Sequence, residues 1–304
     1  MNRASPSGLL GRLFLTREDE RVYAAVRIGF ALASLINLIQ LWPLRHILLS
    51  DGASPPAAAV VEHSDLGNLL LFELFHTPAQ VEALFGLTAM TLLALATGVL
   101  PRLAAAWVML WHLSLLERIS MGATGWDLVL RAFGFIVLIS PMGKCWSLPS
   151  LTGRLATVPA LVPRYGLILM RLQVAVIYWQ TVLLKLTNPN PYWWNGEFLT
   201  YFFLSHYSRW SGAWPAHHPA LMAFGTWLTL VVEMLIPVLL FMPRTRFWGA
   251  LLGLLLHGLI TLSAPEITPF MLVLLMTYLA FLTGRDVAAI DSWLKRRLPL
   301  AGKP

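Results

Sequence analysis

The chain has 304 residues, 57% of them hydrophobic and only 12% charged, and its mean hydropathy is +0.67. A soluble domain carries about 25% charged residues, so this composition excludes an ordinary soluble globular protein and points to the bilayer as solvent and partner. The single cysteine, Cys145, excludes an intramolecular disulfide framework, a Cys-based zinc site and a CxxCH haem attachment. No Gly-rich phosphate loop, HExxH or GxSxG is present. The net charge of +7 is explained below by topology, so nucleic acid is not an expected partner.

Residues 1–21 form a short polar segment, expected in the cytosol, where Arg17-Glu18-Asp19-Glu20-Arg21 opens a helix. No cleavable signal peptide is expected, because the first apolar run is too long for one. Apolar runs follow at 22–42, 81–100, 103–116, 127–142, 165–186, 222–243, 246–263 and 267–283. These make about eight candidate spans, of which the third and fourth are short. Residues 43–80 read as a long loop with Pro55-Pro56 and a surface helix near Asn68–Phe75. Residues 187–221 are a second, aromatic-rich loop, and 284–304 a basic cytosolic tail. Without a composition break or a repeat, residues 1–304 read as one all-α, polytopic transmembrane helical bundle, with the spans inside 22–283.

Charge sorting orients the bundle. With the N-terminus in the cytosol, fifteen of the 22 Lys and Arg residues fall in cytosolic segments. Among them are Arg3, Arg12, Arg102, Lys144, Arg154, Arg164, Arg244, Arg285 and Lys303. Only Arg45, Arg118 and Arg209 fall in the opposite loops; Arg27, Arg131, Arg171 and Lys185 lie within spans. The acids run the other way, with Glu62, Asp65, Glu82 and Glu266 among those near the outer face. By the positive-inside rule both termini are cytosolic, with an even number of spans.

The fifth span stands out, because Arg171, Tyr178 and Lys185 recur at i, i+7 and i+14 and so stay within roughly 40° of one face. Thr181 lies close to that stripe, while Gln173 and Gln180 project from the other side. A spanning helix polar on two faces is expected to be wrapped by its neighbours. Asn188-Pro189-Asn190-Pro191 ends it. Arg171 and Lys185 are roughly 21 Å apart along the axis and cannot share a site. On the outer half, Lys185, Asp127, Arg131, His257 and Glu233 are candidates to line one cavity.

Each candidate has a plainer reading. Lys185 can snorkel to the interface. Asp127 and Arg131, at i and i+4, can neutralise each other. His257 follows Gly249 and Gly253 on a small-residue face and can be a hydrogen-bonded packing residue as readily as a proton-transfer one. Glu233 in mid-membrane must be paired or neutral. Arg27 and Arg171 read as inner-side snorkellers, with Arg171 also able to brace the bundle. His217-His218 and His206 lack an acidic partner at helix spacing, so no metal site is expected. Trp193, Trp194, Trp210 and Trp214 read chiefly as an interfacial aromatic belt, with substrate stacking as the other reading.

Arg171-Leu-Gln, Tyr178-Trp-Gln-Thr-Val-Leu-Leu-Lys185-Leu and Trp193-Trp194-Asn-Gly196 together resemble the signature of the horizontally transferred transmembrane domain family, the membrane portion shared with vitamin K-dependent γ-glutamyl carboxylase. Gly125-Trp126-Asp127, Arg131, Glu233-Met-Leu-Ile-Pro237 and His257 extend the resemblance from Arg27 to about Leu282. It implies a quinol-dependent, carboxylase-like or peptide-maturation activity on the periplasmic side of the bacterial inner membrane. The cofactor it implies is a reduced quinone such as menaquinol, and the substrate a quinol or a membrane-associated peptide. Lys185 would be the base, supported by His257 and Asp127. Tyr178, Thr181, Arg131, Glu233, Trp193 and Trp194 would bind substrate. The sequence departs from the carboxylase at Leu184, where the latter has a second lysine, and at Trp126-Asp127, which replace a histidine. Non-enzymatic alternatives are an assembly partner within a membrane complex, for which the loop 190–215 would matter most, and a small-solute transporter, which usually shows paired broken helices.

Overall fold

The computed structural model describes residues 8, 11, 14–53, 71–119, 123–142, 144–152 and 159–297. The expectations for Arg3, Arg12, Pro55-Pro56, Glu62, Asp65, Arg154 and Lys303 therefore concern residues outside those described. The chain is mostly helical, and its contacts divide it into two compact units: Met1–Met170 with Leu282–Pro304, and Arg171–Phe281.

In the first unit a strand stands where residues 17–21 were expected to open a helix. Strand β1 (Arg17–Asp19) pairs antiparallel with β2 (Leu161–Pro163), Glu18 opposite Val162. Helix α1 (Glu20–Leu41) starts after it because Asp19 is its N-cap: the residue stays extended and its carboxylate accepts from the Arg21 backbone N–H at 2.9 Å. A short α2 (Arg45–Leu49) follows. Of the surface helix expected near Asn68–Phe75, α3 spans Leu71–Leu74, and Asn68 lies outside the described residues. Helix α4 (Pro78–Thr97) begins with a Thr77/Gln80 capping box and ends at Gly98, whose φ is +71°. A Cβ at Gly98 would stand 2.6 Å from Cβ of Ser147 and 3.1 Å from Cζ of Arg27, so glycine is required there twice over. Helices α5 (Pro101–Arg118), α6 (Gly125–Ile139) and α7 (Leu148–Leu151) complete the run before α8 (Tyr165–Thr187), whose residues beyond Met170 belong to the second unit.

Between membrane helices, packing and interhelical hydrogen bonds replace the hydrophobic effect as the cohesive terms. In the first unit the buried Trp111 meets Phe72 and Phe85 edge-on, with ring centroids 5.3 and 5.0 Å apart. Each such pair contributes about 0.5–1.5 kcal/mol beyond area burial. Buried polar groups are matched across helices, with Ser34 Oγ and His112 Nε2 3.0 Å apart and Asn37 Nδ2 donating to Asp127 Oδ1 at 3.1 Å. Arg27 does not snorkel. It is fully buried and donates to the carbonyls of Met142 at 3.0 Å and Trp146 at 2.8 Å, fastening the segment after α6 to α1. At the same end, the Cys145 thiol donates to Glu20 at 2.9 Å. The Trp146 indole donates to Asp291 of α13 (Gly284–Arg297) at 3.1 Å, and Arg21 lies 3.5 Å from Asp291.

The second unit holds the rest of α8, then α9 (Phe198–Leu204), α10 (Pro219–Phe241), α11 (Arg246–Ser263) and α12 (Thr268–Tyr278). Helix α8 stops at Thr187, before Pro189, as expected. It is not wrapped on all sides, since Gln180 is exposed along with Trp179, Leu183 and Leu184. Arg171 braces this unit, donating from Nε to the Ala280 carbonyl at 2.8 Å with its guanidinium 5.7 Å from the Phe281 ring. Helices α10 and α11 approach closely at Gly249, where a Cβ would come within 2.9 Å of Cβ of Leu239 and the backbone nitrogen of Leu240.

Five helices among the described residues are long and apolar enough to cross a membrane, and a sixth is added if Pro265–Leu294 counts as one broken span. The third and fourth apolar runs form α5 and α6, of 18 and 15 residues, which fall outside that set. The reason differs between them. Arg102, His112, Glu117 and Arg118 dilute the apolarity of α5, and α6 is shortened by Thr124 and Ser140 at its two ends.

Candidate functional site

The second unit contains a cavity of about 570 Å³. Short α9 supplies Phe198, Leu199, Phe202 and Phe203, and α10 and α11 supply aliphatic side chains. Into this apolar wall are set Lys185 and Glu233. The Lys185 Nζ donates to both Glu233 oxygens at 2.5 Å, with the side chains 19% and 6% exposed. The ammonium also sits 4.5 Å from the Trp193 ring, which stacks on Phe198 at 3.9 Å and 16°. Lys185 is thus held by charge on one side and a π-face on the other. Helix α8 ends two residues later, and Pro191 starts the turn that brings Trp193 back over it.

A second polar group in this unit is a chain of rings. The Tyr178 hydroxyl is hydrogen-bonded to His257 Nε2 at 2.8 Å and to the Tyr278 hydroxyl. Phe270 meets the imidazole edge-on, and the buried His257 Nδ1 has no hydrogen-bond partner among the described residues. Gly253 makes room for this chain, since a Cβ there would collide with the Tyr278 hydroxyl.

The expected cavity is therefore only partly assembled. Lys185, Glu233 and Trp193 line it; Tyr178, Thr181 and His257 are not among its lining residues. Thr181 donates to its own helix, to the Ile177 carbonyl at 2.5 Å. Trp194 is exposed, its indole donating to the Leu186 carbonyl at 2.5 Å, so the two adjacent tryptophans divide between interface and cavity wall. Asp127 and Arg131 belong to the first unit, and they do not neutralise each other. Asp127 accepts from the Thr124 hydroxyl at 2.6 Å and from its backbone N–H at 3.0 Å, a capping box at the start of α6, as well as from Asn37. Arg131 faces Glu117 at 3.9 Å. The helix N-terminus needs its cap more than the i, i+4 spacing needs its pair.

Sequence reasoning did not find Tyr278, Ser34, Asn37 or His112. Tyr278 has only an indirect signal, the glycine at 253 four residues before His257. Among ionisable groups between the helices, burial with Glu20 beside it pushes the Cys145 thiol up to about 12.

Helices of this length and apolarity, with an ion pair and a buried Tyr–His–Tyr chain set among them, define a multi-pass α-helical membrane protein. The family model described as HTTM domain matches residues 16–286, and the chain belongs to that family, a membrane domain related to vitamin K-dependent carboxylase. No curated protein and no solved structure matches the chain.

Proposed function

We propose that the chain is a protein of the bacterial inner membrane, with both termini in the cytosol. In this reading it binds a reduced quinone in the second unit's cavity and carries a carboxylase-like or peptide-maturation activity on the periplasmic side. The observation that carries it is the Lys185–Glu233 pair in the wall of an otherwise apolar cavity of about 570 Å³. The lining fits such a group: Phe202, Phe203 and the aliphatic side chains of α10 and α11 offer an apolar bed for a ring, and Lys185 with Glu233 a polar contact for a hydroxyl. When bound, a reduced quinone supplies the reducing equivalents for oxygen-dependent formation of a strong base.

Lys185 and Glu233 exist either as ammonium and carboxylate or as amine and carboxylic acid, with the same total charge. In the first form Glu233 takes a proton from a ligand hydroxyl; in the second Lys185 does. Both routes end with an ammonium beside a carboxylic acid, and the ammonium then faces the oxyanion left on the ligand. The low dielectric strengthens that contact. Tyr178 holds the His257 ring in orientation, a supporting role outside the cavity wall.

The test is an anaerobic titration of the protein in nanodiscs with a short-chain menaquinol analogue, read by tryptophan fluorescence. Saturable quenching is expected, its main component lost in Trp193→Phe and its affinity at least about tenfold weaker in Lys185→Met. Quenching that rises only with partition into lipid, unchanged in Lys185→Met, overturns the proposal. If substitutions in the 190–215 loop, and not at Lys185, abolish the cellular phenotype, an assembly-partner role replaces it.

A further inference from the structure

The charge balance of the cavity points to a choice of ligand that its shape alone does not make. We propose that Glu233 makes the cavity selective for uncharged amphiphiles bearing a hydroxyl and shuts out fatty acids and other lipid anions, the ligand entering sideways from the bilayer. This rests on the reading of the Lys185 cavity as a ligand site. A lone buried ammonium in an apolar wall would capture carboxylate and phosphate headgroups, which surround any membrane protein. Here both carboxylate oxygens of Glu233 lie 2.5 Å from the ammonium, so the wall is neutral as it stands. An incoming carboxylate would put two anions around one cation in a low-dielectric site, and displacing Glu233 would leave it buried and unpaired. A hydroxyl accepts from the ammonium and donates to the carboxylate without adding charge.

The other hydroxyls in the lining do not compete for that role. Thr229 donates to the Gly225 carbonyl at 2.9 Å and Ser263 to the Leu259 carbonyl at 2.8 Å, each within its own helix. The ion pair is the polar contact that can meet a headgroup. The route follows from exposure: Leu228, Leu255 and Leu259 line the cavity yet are 46%, 55% and 62% exposed. They lie on α10 and α11, two of the helices apolar enough to cross a membrane, so the faces they expose lie against lipid chains. A ligand tail too long for the cavity can trail past them into the bilayer.

The experiment compares two fluorescent lipids with the same polyene tail, cis-parinaryl alcohol and cis-parinaric acid, binding to the protein in nanodiscs at pH 9, where the acid is ionised. The native protein is expected to bind the alcohol at least about tenfold more tightly. Glu233→Gln should reverse the preference, and Lys185→Gln with Glu233→Gln should restore it, which separates charge from shape. Equal binding of both lipids by the native protein, binding of neither, or a folded Glu233→Gln variant with an unchanged ratio overturns the proposal. The native ratio decides the matter even where a variant fails to fold. No quinol enters the measurement, so the quinol reading can fail in its own titration while this selectivity stands.

Discussion

Lys185 and Glu233 are each legible in the sequence as charges inside apolar runs at a depth that lets them share a cavity, but their direct pairing is not, because 48 residues separate them. Local patterns mislead for the same reason. The i, i+4 spacing of Asp127 and Arg131 is visible in the chain, whereas Asn37, which binds Asp127, lies 90 residues away. The pair sets the cost of altering either member. Losing one partner of a fully buried pair costs about 3–5 kcal/mol, because the other charge stays buried. With Lys185 partly exposed, screening lowers the expectation to roughly 2–3 kcal/mol for Lys185→Met. The double variant Lys185→Met with Glu233→Leu should lose less than Lys185→Met alone, as measured by thermal unfolding in detergent; additive losses would count against the pairing. At Cys145 the thiol pKa of about 12, burial and the bond to Glu20 predict no reaction with maleimide at pH 8 until the protein is denatured. Rapid labelling of the folded protein would show that the Arg21–Asp291 end opens freely.

Helix positions followed from the apolar runs, since a backbone in lipid must satisfy its own hydrogen bonds and has few other forms to take. The helix end at Thr187 followed from the prolines after it, whereas the helix of the run expected from residue 81 starts earlier, at Pro78, inside the expected loop 43–80, where Thr77 caps it. The β1–β2 pair was not legible: three residues reading Arg-Glu-Asp and three reading Leu-Val-Pro share no period, and only their distant pairing makes them strands. Close helix approach was partly legible from the glycine spacing on α11, and the structure sharpens it into a contrast. A Cβ at Gly249 would press on α10 at 2.9 Å, whereas at Gly258 it would meet nothing within 4 Å. Gly249→Ala should therefore destabilise the protein by about 1–3 kcal/mol through overpacking. Gly258→Ala should be neutral or stabilise by up to about 1 kcal/mol through helix propensity. Parallel melting curves test both, and equal effects would refute the close packing of α10 on α11.

At the scale of the whole molecule, the number of crossings is constrained by contacts within the first unit. Arg21 lies 3.5 Å from Asp291, Trp146 donates to Asp291, Cys145 donates to Glu20, and β1 pairs with β2. Residues 17–21, 145–146, 161–163 and 291 thus lie together; where they share one side of the membrane, as proposed, any stretch of chain joining two of them crosses it an even number of times. Between Asp19 and Cys145 the helices α1, α4, α5 and α6 satisfy this if the last two both cross or neither does. Between Pro163 and Asp291 the helices α8, α10 and α11 alone would give an odd number. In the proposed reading, with both termini in the cytosol, the segment Pro265–Phe281, roughly 25 Å long at about 1.5 Å per residue, supplies the fourth crossing. Its length is close to the roughly 30 Å hydrocarbon thickness, and the 3₁₀ turns at its two ends lengthen it relative to an α-helix. In that reading the lopsided count of Lys and Arg puts the shared end in the cytosol. Alkaline phosphatase fused after Ser263 should be active, being outside, and fused after Arg297 inactive, with a green fluorescent protein fusion there bright. Phosphatase activity at both positions would remove the crossing by Pro265–Phe281, and with it the even count proposed for the chain between Pro163 and Asp291.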